Sequence, residues 1–199
     1  MPDYSERRGF VKRGLNMHYS NIKTIDISNG IGVRTSLFVS GCNINCTGCF
    51  NREAWDFNNG EEFTDDVLID ILKSLSPSYV SGLSILGGEP LDEKNQRDVW
   101  KIVLITKYIY PNKDIWLWSG YTFEHLMDEI NEHDNKILKN ILSNIDVLVD
   151  GPFELSQHDV MLRFKGSKNQ RLLDSKASVI SGRCIEWHDI ELFEKHQWE

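Results

Sequence analysis

Four short apolar runs, each ending in a polar loop that carries a glycine, fix what this chain can become. VRTSLFV (33–39) runs into SGCNINCTGCF, GLSIL (82–86) into GGEP, DIWLW (114–118) into SGYT, and IDVLV (145–149) into DGPF. Helical stretches lie between them. TDDVLIDILKSLS (64–76) gathers Val67, Leu68, Ile71, Leu72 and Leu75 on one face. Thr64 stands where an N-cap belongs, and Asp65 and Asp66 suit the positive end of the dipole. A second helix is predicted over 93–110, stopped by Pro111 and Asn112. A third is predicted over much of 122–142. KASVI (176–180) is expected to form a fifth strand. Strand and helix in alternation predict an α/β fold with a mainly parallel sheet and right-handed crossovers. Such sheets bind ligands beyond the C-terminal ends of their strands, which is where all four loops fall.

Size and charge narrow the classes. A chain of 199 residues with 40% apolar content suits a single domain over 1–199 that buries its own core. The core is expected over about 17–180, with no role assigned to the tail at 181–199. The 4 cysteines do not make a disulfide framework, which belongs to short secreted chains. A net charge of −8 argues against a protein that grips nucleic acid through its phosphates. No stretch has the length and apolarity of a membrane span. Arg7, Arg8, Lys12 and Arg13 are followed by no apolar run, so no signal peptide is expected. A reducing, cytoplasmic setting follows.

Cys42, Cys46 and Cys49 are spaced C-x3-C-x2-C. Spacing this close in a reducing setting points to metal. Zinc normally takes four ligands, often in paired C-x2-C units. Cys184 or His18 could add a fourth, yet neither has a partner at ligand spacing. A [4Fe–4S] cluster usually takes four thiolates as well. Three leave one iron open, which is what a substrate or cofactor that binds iron requires. A zinc-stabilised module or a ferredoxin-like carrier would need the fourth protein ligand.

The C-x3-C-x2-C run resembles the signature of the radical S-adenosylmethionine (SAM) enzymes, and GGEP at 87–90 resembles their second motif, about one β–α unit downstream. DISNGIGVRTSLFVSGCNINCTGCFN (26–51), LWSGYTFEHL (117–126), VDGPF (149–153) and RFKGSKNQRLLD (163–174) are similar to blocks of a narrower family, the activators of anaerobic ribonucleoside-triphosphate reductase. The resemblance runs from about 17 to about 174. It implies an incomplete, open-sided (β/α) barrel of five or six strands, since a full barrel needs about 250 residues. It implies a [4Fe–4S] cluster on Cys42, Cys46 and Cys49 whose open iron is chelated by SAM. One-electron cleavage of SAM then yields a 5′-deoxyadenosyl radical, which takes a hydrogen atom from a glycine of the reductase. A flavodoxin- or ferredoxin-type electron donor is implied too, and a homodimer is compatible with the sequence. Formate-lyase activators and deazaguanine synthases share the chemistry but not VDGPF and RFKGSKNQR.

The same resemblance assigns residues. Gly87, Gly88, Glu89 and Pro90 are expected at the methionine end of SAM. A side chain at Gly88 is expected to press into that space while sparing the thiolates. Gly48, Cys49 and Phe50 are expected along the adenine, largely through backbone. Gly48 stands where the superfamily often has an aromatic residue. Ser119 and Asp150, at strand ends, are expected near the ribose or the carboxylate, with turn capping as their alternative. Arg163, Lys165 and Arg171 would by default form a solvated face, and the resemblance of their block implies instead contact with SAM or the partner. A solvent-facing position is the default for Arg34. Cys184 reads as an incidental thiol, and the 6 tryptophans as core and interface.

Overall fold

A computed structural model describes residues 15–188. Its centre is one seven-stranded sheet in the order β3-β1-β2-β4-β5-β6-β7. The strands are β1 (His18–Asp26), β2 (Val33–Val39), β3 (Glu61–Glu62), β4 (Val80–Gly87), β5 (Asp114–Trp118), β6 (Val147–Asp150) and β7 (Arg171–Asp174). The helices are α1 (Asp65–Leu75), α2 (Glu93–Ile109), α3 (Phe123–His133), α4 (Lys136–Asn144) and α5 (Ser175–Ser181). The four central strands β2, β4, β5 and β6 are parallel, and the edges are antiparallel. The architecture is mixed α/β with a single open sheet. No helix among the described residues is long and apolar enough to cross a membrane.

Period-two alternation sorts the strand residues between two faces. Leu37, Val39, Leu83, Ile85, Ile115, Leu117 and Leu148 join the main core with the helices. The opposite face carries Trp116, Val147 and Val149 in a smaller cluster with Trp118, Phe164 and Trp187. It is this second face that leads up to the site. Thr64 caps α1 by accepting from the Val67 amide, as the sequence predicts.

Three expectations need correction. The stretch 122–142 holds two helices, because Asp134 turns left-handed (φ 48) and Asn135 caps α4 by accepting from Leu138. Asp and Asn tolerate that conformation and compete as caps. KASVI is no strand: Asp174 accepts from the Ala177 amide and starts α5 there. A five-residue apolar run carries too little periodicity to separate the two states. Arg34 does not face solvent but is 0% exposed. It donates to Ser84 Oγ at 2.7 Å, Asp114 Oδ1 at 2.7 Å and the carbonyls of Leu83 and Ile31 at 2.9 and 3.1 Å.

Candidate functional site

The loop after β2 is anchored at its base and turned sharply along its length. Gly41 takes φ +93, and a Cβ there would collide with the Phe57 ring. Its amide donates to the Ala54 carbonyl at 2.8 Å, and that of Cys42 to the Trp55 carbonyl at 3.2 Å. A tight turn, Cys49 N–H to Cys46 O at 3.1 Å, brings the last two cysteines round. Cys42, Cys46 and Cys49 all line one cavity of about 430 Å³. Burial pushes the Cys42 thiol up, opposed by the backbone amides of Ile44 and Asn45. Burial also pushes Cys46 up, opposed by the amide of Phe153. Amides aimed at sulfur favour thiolate and tune a cluster's potential.

These features fit a cluster with one open iron. The three thiols share a cavity with room for a ligand beside them. Neither Cys184 nor His18 lines that cavity. The Cys184 thiol is 3.2 Å from Glu124 Oε1 instead. Among the described residues no three His, Cys, Asp or Glu side chains close on a point that a single metal ion could fill.

GGEP packs on the cysteine loop through backbone. Gly88 N–H donates to the Val39 carbonyl at 2.7 Å, and Glu89 N–H to the Gly41 carbonyl at 2.8 Å. Gly87 takes φ +115. Gly87, Gly88 and Glu89 line the cavity; Pro90 does not. Glu89 is 0% exposed. Its Oε1 accepts from the Leu91 amide and from Ser119 Oγ, both at 2.9 Å, and its Oε2 accepts from the Gly120 amide at 2.7 Å. Burial pushes this carboxyl up to about 7 despite those three donors.

The ends of β5 and β6 complete the rim. Ser119 lines the cavity. Asp150 does not: its carboxylate accepts from the Phe123 amide at 2.7 Å and is paired with Arg171, which also holds Glu124. Asp150 thus ties the start of α3 to β7 rather than capping its own turn. Gly48 is not among the lining residues either. It takes φ +80 and packs against Leu155. Phe50 lines the cavity, is 89% exposed and meets Phe153 edge-on at 6.1 Å. Of the basic block, Lys165 faces the cavity, Arg171 is spent on Asp150 and Glu124, and the Arg163 guanidinium lies 4.7 Å over the Phe164 ring.

Sequence reasoning passed over several parts of this site. Asn95, in the first turn of α2, donates to the Ser40 carbonyl at 3.0 Å and the Glu89 carbonyl at 2.9 Å, fastening the two motif loops together. Asn43 does the same to Asp92 at 2.7 Å. Trp118, Phe164 and Asn29 line the cavity from the second sheet face. The one available signal was alternation along DIWLW, which puts Trp116 and Trp118 on the face opposite Ile115 and Leu117.

The profile of the 4Fe-4S single cluster domain family matches residues 28–173. The chain is 40% identical over 163 residues to the anaerobic ribonucleoside-triphosphate reductase-activating protein of Enterobacteria phage T4, covering 82% of this chain and 97% of that one. It is 39% identical over 156 residues to the protein of that name from Vibrio cholerae and 37% to that from Escherichia coli K12, covering 77% of this chain and 96% of each relative. The cysteine loop, the GGEP loop packed on it and the relatives that share their length agree: the chain belongs to the 4Fe-4S single cluster domain family and, within it, to the anaerobic ribonucleoside-triphosphate reductase-activating proteins.

Proposed function

We propose that this chain activates an anaerobic ribonucleoside-triphosphate reductase by setting a glycyl radical on it, with a [4Fe–4S] cluster and SAM as cofactors. The observation that carries this reading is the convergence of Cys42, Cys46 and Cys49 with Gly87, Gly88 and Glu89 on one cavity. When bound, cluster and SAM together supply a hydrogen-abstracting radical by one-electron cleavage of the sulfonium. The chain's own residues position and shield. Cys42, Cys46 and Cys49 would hold the cluster, three thiolates leaving one iron without a protein ligand. The backbone of Gly87 and Gly88 meets the methionine end, with Pro90 stiffening the exit from that loop. Glu89 orients that loop by binding Ser119 and the Gly120 amide. Cys49 and Phe50 would lie along the adenine, and Gly48, which does not line the cavity, would serve by turning the loop at φ +80. Asp150 acts at one remove, by fixing the start of α3 and Arg171.

Finer features belong to the same reading. The open sheet is read as an incomplete (β/α) barrel whose open side admits the glycine loop of the reductase, which then excludes water from the cavity. A flavodoxin- or ferredoxin-type protein supplies the electron, the setting is the reducing cytoplasm, and a homodimer is the assembly. The test is direct. Reconstituted, reduced protein is mixed anaerobically with SAM and the reductase, and the mixture is read by EPR. A glycyl radical on the reductase with stoichiometric 5′-deoxyadenosine supports the reading. Efficient turnover of a small purine or pterin with no radical on the reductase would overturn it.

A further inference from the structure

The chain continues past residue 173, where the family match ends, and folds back on the sheet. Gly182, at φ +66, ends α5. The segment 183–187 then runs antiparallel to β7. Asp174 N–H donates to the Ile185 carbonyl and Trp187 N–H to the Leu172 carbonyl, each at 2.9 Å, and Leu173 pairs with Glu186. The Ile185 amide is taken by Ser178 Oγ at 2.9 Å.

This pairing delivers Trp187 to the second face of the sheet. Its ring lies 4.9 Å from that of Trp116, edge-on at 69°. Trp116 stacks on Trp118 at 5.8 Å and meets Phe164 edge-on at 5.1 Å. Trp118 and Phe164 line the cavity, and Trp118 Nε1 donates to the Phe164 carbonyl at 2.8 Å. Phe164 is left-handed, at φ 62. A bulky side chain in that conformation is strained and persists only where its surroundings hold it. The surroundings are Trp118, Trp116 and the Arg163 guanidinium, and Trp187 stands against Trp116. This cluster is separate from the main core, so loss of Trp187 leaves the helical side of the sheet packed.

We propose that Trp187, carried by the segment 183–187, is a positioning residue for the cavity: it presses Trp116 against Trp118 and Phe164 and so holds Phe164 in the wall that meets SAM. The proposal rests on the reading of the cavity given above. Aromatic rings packed edge-on and stacked gain from geometry as well as area, so a ring at 187 matters more than apolar volume.

The test uses the full chain, anaerobically reconstituted, with SAM binding followed by calorimetry and iron content and thermal midpoint measured on the same samples. Trp187→Ala is expected to bind SAM about tenfold more weakly with iron content unchanged, and Trp187→Phe to recover affinity to within about threefold of wild type. A lowered thermal midpoint with unaltered affinity overturns the proposal, as does failure of Phe to rescue. Should Trp187→Ala not fold, Trp187→Leu against Trp187→Phe puts the same question, and equal affinities overturn it. A wild-type chain that bound no SAM would overturn the reading of the cavity itself, and the role of Trp187 with it. Wild-type binding beside an unaffected Trp187→Ala would remove Trp187 alone.

Discussion

Gly88 sits so close to Gly41 that a Cβ built on it would lie 2.5 Å from the Gly41 carbonyl oxygen and 2.9 Å from that of Ala54. Both contacts are backbone at the base of the cysteine loop, so neither can swing aside. The glycine is required by the packing of one motif on the other. The sequence-based expectation, that a side chain here crowds only the methionine, is therefore replaced. Gly88→Val is expected to displace the cysteine loop and cost about 3 kcal/mol. Iron content and SAM affinity should fall together, as read by iron analysis and calorimetry on one preparation. Full iron with lost SAM binding would return the simpler view.

Arg34 shows where sequence reading stopped and why. The central strands were legible as short, largely apolar runs, α1 by its single apolar face and N-cap, and α2 by its stop at Pro111 and Asn112, since its buried side also carries Asn95, Gln96 and Asp98. The cysteine and GGEP loops were legible because spacing alone identifies them. Arg34 was not, since a cation within VRTSLFV looks like a solvent-facing residue until β5 brings Asp114 beside it from 80 residues away. β1 was missed because HYSNIKTID is polar at most positions, a consequence of its largely exposed surface. β7 was hidden in a basic block, and its four residues become a strand by pairing with distant β6. The split of function within the DGPF loop was equally invisible: Asp150 and Gly151 are neighbours, and only the second reaches the cavity.

Removal of the Arg34 side chain should be expensive. Its guanidinium serves the side chains of Ser84 and Asp114 and the backbone carbonyls of Ile31, Leu83 and Asp114. Arg34→Met leaves those acceptors without their donor, and a loss of about 3 kcal/mol is expected in urea unfolding. Arg34→Lys keeps the charge but cannot reproduce the fork, so it should recover only part of the loss. A Lys variant as stable as wild type would show that charge alone suffices.

Glu89 should leave a mark on the pH dependence of stability. Its carboxyl is raised by burial from 4.5 to about 7 in the folded chain. Between those values the folded chain keeps a proton that the unfolded chain has released. Stability therefore falls as pH rises through this window and levels off above it, by about 3 kcal/mol in all. Glu124 works in the opposite sense, because Arg171 holds it at about 2. Its contribution is present above 4.5 and lost as pH falls towards 2. Thermal midpoints across pH 3–8 should pass through a maximum near pH 5, with Glu89 setting the descending limb and Glu124, together with the lowered carboxyls of Asp26, Asp146 and Asp159, the acid limb. Glu89→Gln should flatten the limb above the maximum and leave the acid limb in place. A descending limb that survived in this variant would assign it to another group.

The last prediction separates the cysteines. Cys42, Cys46 and Cys49 share the cavity, with backbone amides aimed at the first two. Cys184 lies apart, its thiol against Glu124 and pushed up to about 11, chiefly by burial and by that neighbour. Cys184 does not line the cavity that the other three share, so it is not placed to join a cluster held there. Ala at any of the three loop positions is therefore expected to abolish the brown absorbance of the reconstituted protein and all SAM cleavage. Cys184→Ala should retain iron content near wild type. It removes only a weak thiol donor to a partly exposed carboxylate, so unfolding free energy should change by less than about 1 kcal/mol. Loss of the cluster in the Cys184 variant would make it a fourth ligand and leave no iron open for a cofactor.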